Sequence, residues 1–257
     1  MAAQLAVFVS EDRSVRSDQT ILERKLVDHL AAWQDVRVTV VPHLYDLDPQ
    51  GPAMRAIRQA QGDLVVLSWL HPRAAFWLLA ANGVNGRLEQ TSSLADEDRD
   101  LARSEGSSTA ADRKIWCFDL RTHRRAETYL DEIARITGRQ PAAESAEPAS
   151  GAGGGSAQIE EMVRPRWYPV VDRDRCRRCM ECVNFCLFEV FLLTATDEIV
   201  VDQPDACRPG CPSCARICPE GAILFPHADD LGLADAPVAP KRRRIEVPGC
   251  DCDDPKG

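Results

Sequence analysis

Apolar residues in the first half of the chain come in short continuous blocks, separated by stretches with helical spacing. LAVFVS (Leu5–Ser10), VRVTVV (Val36–Val41), DLVVLSWL (63–70) and KIWCFDL (114–120) have the length and apolar content of buried strands. Between them, residues 18–33 set Ile21, Leu22, Leu26, Val27 and Leu30 on one helical face, with Ser17 or Asp18 placed to cap it. Residues 51–61 read as a shorter helix. Pro72 opens a third that runs to Ala81, and residues 123–137 form a fourth that stops at Gly138.

Strands that alternate with helices predict an α/β N-terminal domain with a mostly parallel sheet, built in three layers over residues 1–140. Such sheets bind ligands outside the carboxyl ends of their strands. Those ends carry Ser10, Glu11 and Asp12, then Pro42 and His43, then Ser68 and His71, then Asp119. No GxGxxG follows the first strand and no GxxxxGK[ST] occurs, so neither a standard dinucleotide site nor a P-loop is supported. The polar residues at the strand ends read as ordinary loop residues, and no catalytic residue is assigned. Cys117, inside an apolar strand, reads as a small buried thiol. Trp69, Phe76 and Trp77 read as core or interface residues. Residues 82–111 are polar and read as a mobile loop.

The pattern changes at residue 141. PAAESAEPASGAGGGSAQ has little to bury, and residues 141–162 are expected to be a flexible linker. As a tether it would let the following module move; as an inert join it would leave the two halves in contact. Residues 163–228 then nearly repeat themselves. YPVVDRDRCRRCMECVNFCLFEVFLL is followed by EIVVDQPDACRPGCPSCARICPEGAILF, with Val170, Val171 and Asp172 matching Val200, Val201 and Asp202. A repeat of this kind predicts two similar sites related by an approximate two-fold axis. Eight of the eleven cysteines lie here: Cys176, Cys179, Cys182 and Cys186, then Cys207, Cys211, Cys214 and Cys218. Thiolates so crowded suit a soft metal, and the spacing favours iron–sulfur clusters over the longer-spaced CxxC pairs of zinc ribbons.

The segment resembles the bacterial-type ferredoxins that bind two [4Fe-4S] clusters, and the resemblance covers about a quarter of the chain. It implies an α+β ferredoxin-like two-cluster C-terminal domain in which each cluster takes three cysteines from one motif and the fourth from the other. Cluster one would use Cys176, Cys179, Cys182 and Cys218; cluster two would use Cys207, Cys211, Cys214 and Cys186. Low-potential electron transfer follows from the same resemblance. Two departures stand out. The second motif opens C-x3-C, and Gly210 can absorb the extra residue. Leu187 stands where proline usually follows the fourth cysteine, as Pro219 does in the second motif. Both predict clusters of unequal potential.

Residues 229–257 form a polar tail with a basic run (KRRR) and a GCDCDD stretch; Cys250 and Cys252 receive no cluster. The net charge of −9 argues against a nucleic-acid partner. No window reaches the roughly 18 apolar residues of a membrane span, and the first residues lack the pattern of a secretory signal. A reducing, cytoplasmic setting is expected. The leading reading is an electron-transfer protein or subunit that passes single electrons between redox partners or within a larger oxidoreductase complex. The alternatives are an enzyme whose α/β domain binds a substrate or organic cofactor, and a regulatory or structural iron–sulfur module.

Overall fold

The computed structural model describes residues 5–13, 17–94, 113–139 and 155–226. Its first part is a parallel sheet with helices on both faces. In chain order the elements are β1 (Leu5–Ser10), α1 (Ser17–Ala31), β2 (Val36–Val41), α2 (Pro52–Gln59), β3 (Leu64–Ser68), α3 (Pro72–Ala81), β4 (Arg87–Glu89), β5 (Lys114–Asp119) and α4 (Ala126–Ile136). A later strand, β6 (Ser156–Gln158), completes a six-stranded sheet of order β4-β5-β3-β1-β2-β6. Every pairing in it is parallel. The chain winds from β1 to β2 in one direction and from β3 onward in the other, so the order reverses beside β1.

The period of two sorts the strand side chains onto two cores. Ala6, Phe8, Leu64, Val66, Ile115 and Cys117 face α2 and α3. Val7, Val9, Val65, Leu67 and Phe118 face α1 and α4. Cys117 is fully buried, and burial pushes its thiol well above the ordinary range.

α3 departs from the amphipathic pattern of a surface helix. Its residues from Pro72 to Leu79 are all buried, Arg73 included. A helix apolar on every side needs cover on every side. One side of α3 lies on the sheet and the other is covered by the cysteine module, whose Tyr168, Val170 and Leu224 belong to the same core as Phe76, Trp77 and Leu78.

Two short elements escaped the sequence pattern. β4 lies inside the stretch expected as a polar loop, of which residues 95–111 fall outside the described set. β6 lies inside the stretch expected as a flexible linker. Of that stretch residues 155–162 are folded, and the expectation of a tether through residue 162 is corrected to that extent. Their order comes from backbone pairing with β2 and from Glu161. The Glu161 carboxylate accepts hydrogen bonds from the backbone N–H of Asp48 (3.1 Å) and of Ala53 (3.0 Å), and so caps α2 from outside. Gly51, at the helix start, leaves room for it: a Cβ there would meet both carboxylate oxygens at 2.8 Å. The basic run and Cys250 and Cys252 lie outside the described residues.

The cysteine module consists of β7 (Val170–Val171), α5 (Glu181–Phe185), β8 (Phe191–Leu193), β9 (Ile199–Val201), α6 (Ser213–Ile217) and β10 (Ile223–Leu224). β7 pairs antiparallel with β10, and β8 with β9. Each half is therefore strand, cysteine loop, short helix, strand, as the repeat implies.

Candidate metal centre

Each cysteine loop is held open by backbone in the left-handed region. Arg178, immediately before Cys179, has φ 56°; Gly210, immediately before Cys211, has φ 73°. The extra residue of the second loop thus leaves the turn before its second cysteine intact. Met180 (φ 66°) starts α5, whereas Pro212, with φ −102°, starts α6. Past the fourth cysteines the symmetry returns. Glu189 (φ 52°) and Gly221 (φ 59°) each lie three residues beyond Cys186 or Cys218. Their N–H groups donate to the carbonyls of those cysteines at 3.3 Å. Left-handed residues other than glycine cost on the order of 1 kcal/mol or more each. Runs of such turns point N–H groups into a common concavity, the backbone geometry of many anion and iron–sulfur sites.

The sulfurs fall into two sets. Burial raises Cys176, and the nearby Cys218 and Cys179 raise it further. Burial pushes Cys182 up to about 12, with Cys176, Cys218 and Cys179 adding to the effect. Burial likewise takes Cys207 to about 11, reinforced by Cys211 and Cys186. Cys214 reaches about 12 through burial, then Cys207 and Cys186, with Cys182 of the first loop adding a smaller part. Cys211 goes the other way, lowered by the Ser213 hydroxyl 3.5 Å from its sulfur and by the Ser213 N–H. Cys186 and Cys218 each sit electrostatically with the opposite loop.

The second set surrounds a cavity of about 510 Å³. Cys186, Cys207, Cys211 and Cys214 all line it, together with Phe185, Leu187 and Phe188. Leu187 is 91% exposed at its rim. A smaller cavity of about 100 Å³ touches Cys176, Arg178 and Glu198 in the other half. Val171, Val190, Phe191, Ile199, Ile223 and Phe225 form the apolar floor beneath both sets, with Trp167 stacked on Phe225 at 4.8 Å. One sulfur already receives a backbone donor, from Ala222 N to Cys218 Sγ at 3.3 Å. Among the described residues, no three His, Cys, Asp or Glu side chains converge at single-ion distance.

The module is fastened to the α/β domain. The Tyr45 and Tyr168 rings stack at 4.4 Å, and the Tyr45 hydroxyl accepts from Tyr168 N (2.5 Å) and donates to Tyr168 O. Asp46 accepts from Arg13 Nε (2.6 Å) and from Arg166 N (2.9 Å). Arg73 reaches from α3 to Asp172 in the module.

A search of family models matches none to this chain. The cysteine region does have relatives. It is 42% identical over 55 residues to a ferredoxin of Methanothermococcus thermolithotrophicus, which is 21% of this chain and 88% of that protein. The chain belongs, through this region, to the ferredoxin family. Ferredoxin-3 of Nostoc is 32% identical over 73 residues, 22% of this chain and 74% of the relative. An uncharacterized ferredoxin of Methanocaldococcus jannaschii is 38% identical over 61 residues; there the match spans 23% of this chain and only 41% of the relative. The ferredoxin-like segment is thus a small C-terminal part joined to a larger region that these comparisons leave unidentified.

Of the sequence-predicted loop residues, Ser10 and His43 are buried: Ser10 Oγ accepts from Leu44 N at 2.8 Å, and His43 lies 3.8 Å from Asp46. Asp119 is held by Arg121, at 2.7 Å for the closest pair. Sequence reasoning missed Glu23, which accepts from Trp69 Nε1 (2.6 Å) and Asp12 N (2.8 Å) and so pins the loop after β1. It also missed Arg73, whose position in an otherwise apolar helix was the available signal. Among the described residues, no helix is long and apolar enough to cross a membrane.

Proposed function

We propose that the chain is an electron-transfer protein, or the iron–sulfur subunit of a larger oxidoreductase, carrying two [4Fe-4S] clusters. Cluster one is held by Cys176, Cys179, Cys182 and Cys218, and cluster two by Cys207, Cys211, Cys214 and Cys186. The observation that carries the reading is the cavity that Cys186, from the first loop, lines together with Cys207, Cys211 and Cys214 of the second. The proximity of Cys218 to Cys176 and Cys182, which raises both thiols, supports it. So do the left-handed turns that open both loops. When bound, the clusters supply one-electron transfer. The protein provides ligands, an apolar surround and N–H donors to sulfur, which together set the potential. Thiols raised by burial shed protons as they take up metal, so loading is favoured by rising pH. A reducing compartment such as the cytoplasm keeps the eight thiols available. The α/β domain acts as the fixed body of the carrier, and its redox partner is a protein.

Anaerobic purification with iron and sulfide analysis, followed by EPR of the reduced protein, tests this. About eight iron and eight sulfide per chain are expected. Zinc without sulfide overturns the proposal. Cys182→Ser should remove about half the iron; full retention of both clusters refutes the ligand assignment.

A further inference from the structure

The two halves of the cysteine module are near repeats, yet their matching aspartates have opposite surroundings. Asp202 is exposed. Asp172 is 0% exposed and faces Arg73, itself 2% exposed, the second residue of α3. The contact is bidentate: Arg73 Nε donates to Asp172 Oδ2 and Nη2 to Oδ1, both at 2.8 Å. Nη2 also reaches Asp174 Oδ2 at 3.3 Å. Asp172 in turn organises the turn that delivers the first cysteine. Its Oδ1 accepts from the N–H of Asp174 (3.1 Å) and of Arg175 (3.3 Å), and its carbonyl accepts from Cys176 N at 3.0 Å.

We propose that Arg73 is a positioning residue for the first cluster: the α/β domain, through this guanidinium, fixes the turn from Asp172 to Cys176 and neutralises the buried Asp172 carboxylate behind it. The inference rests on the two-cluster reading above. The fork shape matters because guanidinium matches a carboxylate with two parallel bonds, which an ammonium cannot do. The charge matters because reduction adds negative charge to a cluster, and a buried carboxylate left without its guanidinium disfavours that state. Asp202, the matching aspartate of the second half, is exposed rather than sealed against α3, so the second cluster serves as an internal control.

The test uses the full chain, loaded anaerobically, with a redox titration followed by EPR and iron release to a chelator. The Cys182→Ser chain shows which wave belongs to the first cluster. Arg73→Met should move that wave to lower potential by at least a tenfold change in the oxidised-to-reduced ratio at fixed potential, 59 mV for one electron. The second wave should stay. Arg73→Lys, which keeps the charge and loses the fork, should return the first wave toward its original position while iron leaves the first cluster faster than from the unaltered protein. If Arg73→Met does not fold, the chelator rate of Arg73→Lys decides. A wild-type chain without iron and sulfide refutes the two-cluster reading itself. Two intact clusters with the first wave and the release rate unchanged in the variants overturn the role of Arg73, as do equal shifts in both waves.

Discussion

Replacing Tyr45 by Phe isolates the polar part of the contact between the two regions. The ring that stacks on Tyr168 is kept, as is its place in the core. Only the hydroxyl is lost, and with it the partner of both main-chain groups of Tyr168. Both tyrosines are buried, so water does not replace it. Leaving a buried donor or acceptor unsatisfied costs about 1–3 kcal/mol per group. Two such groups give a loss of roughly 2–5 kcal/mol, less than their simple sum because the backbone can relax. For a chain of this size that is a fall in Tm of roughly 4–20 °C, at about 2–4 °C per kcal/mol. Thermal unfolding of the loaded, anaerobic protein is followed by circular dichroism for the sheet and by cluster absorbance for the module. Both signals should fall together, and both midpoints should drop in Tyr45→Phe. A variant that loses cluster absorbance at lower temperature while the sheet melts unchanged would refute the reasoning, because the two regions would then be independent. So would a midpoint shift under 1 °C in both.

Two further outcomes follow from the same geometry. Burial raises the phenols of Tyr45 and Tyr168 above the ordinary value of 10.0. The folded state therefore holds these protons after the unfolded chain has released them. Stability from this source is complete below pH 10 and falls as pH rises beyond it, by about 1.4 kcal/mol per pH unit for each phenol. A denaturant series from pH 9 to 11 should show that fall, and a flat profile contradicts it. Glu189→Gly replaces a left-handed residue by the type that occupies the matching place at Gly221. Relief of about 1–2 kcal/mol of backbone cost exceeds the roughly 0.5–1 kcal/mol of added chain entropy, so the variant should be slightly more stable in urea; a loss above 1 kcal/mol contradicts the assignment.

Much of this molecule is legible in its sequence because its strands are buried on both faces. β1, β2, β3 and β5 stand out as apolar runs, and α3 follows from Pro72. The two-fold pairing of the cysteine module follows from the VVD repeat. β6 could not be read this way: Ser156, Ala157 and Gln158 are all exposed, and backbone pairing with β2 alone makes them a strand. β4 has a single buried residue, Leu88, and so no period to detect. The contact between the regions was half visible. An apolar helix with one arginine already demands a second covering surface and a buried carboxylate. Which of two equivalent aspartates supplies that carboxylate depends on where the module docks, and local sequence does not encode docking geometry. The same limit applies to the crossed cysteines, whose grouping is a property of the two-fold arrangement and was available in advance only through the resemblance.

α3 belongs at once to the α/β domain and to the cysteine module, and this has a thermodynamic consequence. It cannot leave one layer and remain folded in the other, since its buried face is shared between them. A ligand held by the folded module and not by the unfolded chain then stabilises the six-stranded sheet by the same free energy, through linkage. Amide protons deep in β1 and β3, far in sequence from any cysteine, become reporters of metal occupancy: their exchange slows on loading. On the two-cluster reading, the cluster content of a preparation then sets how long the α/β domain stays folded.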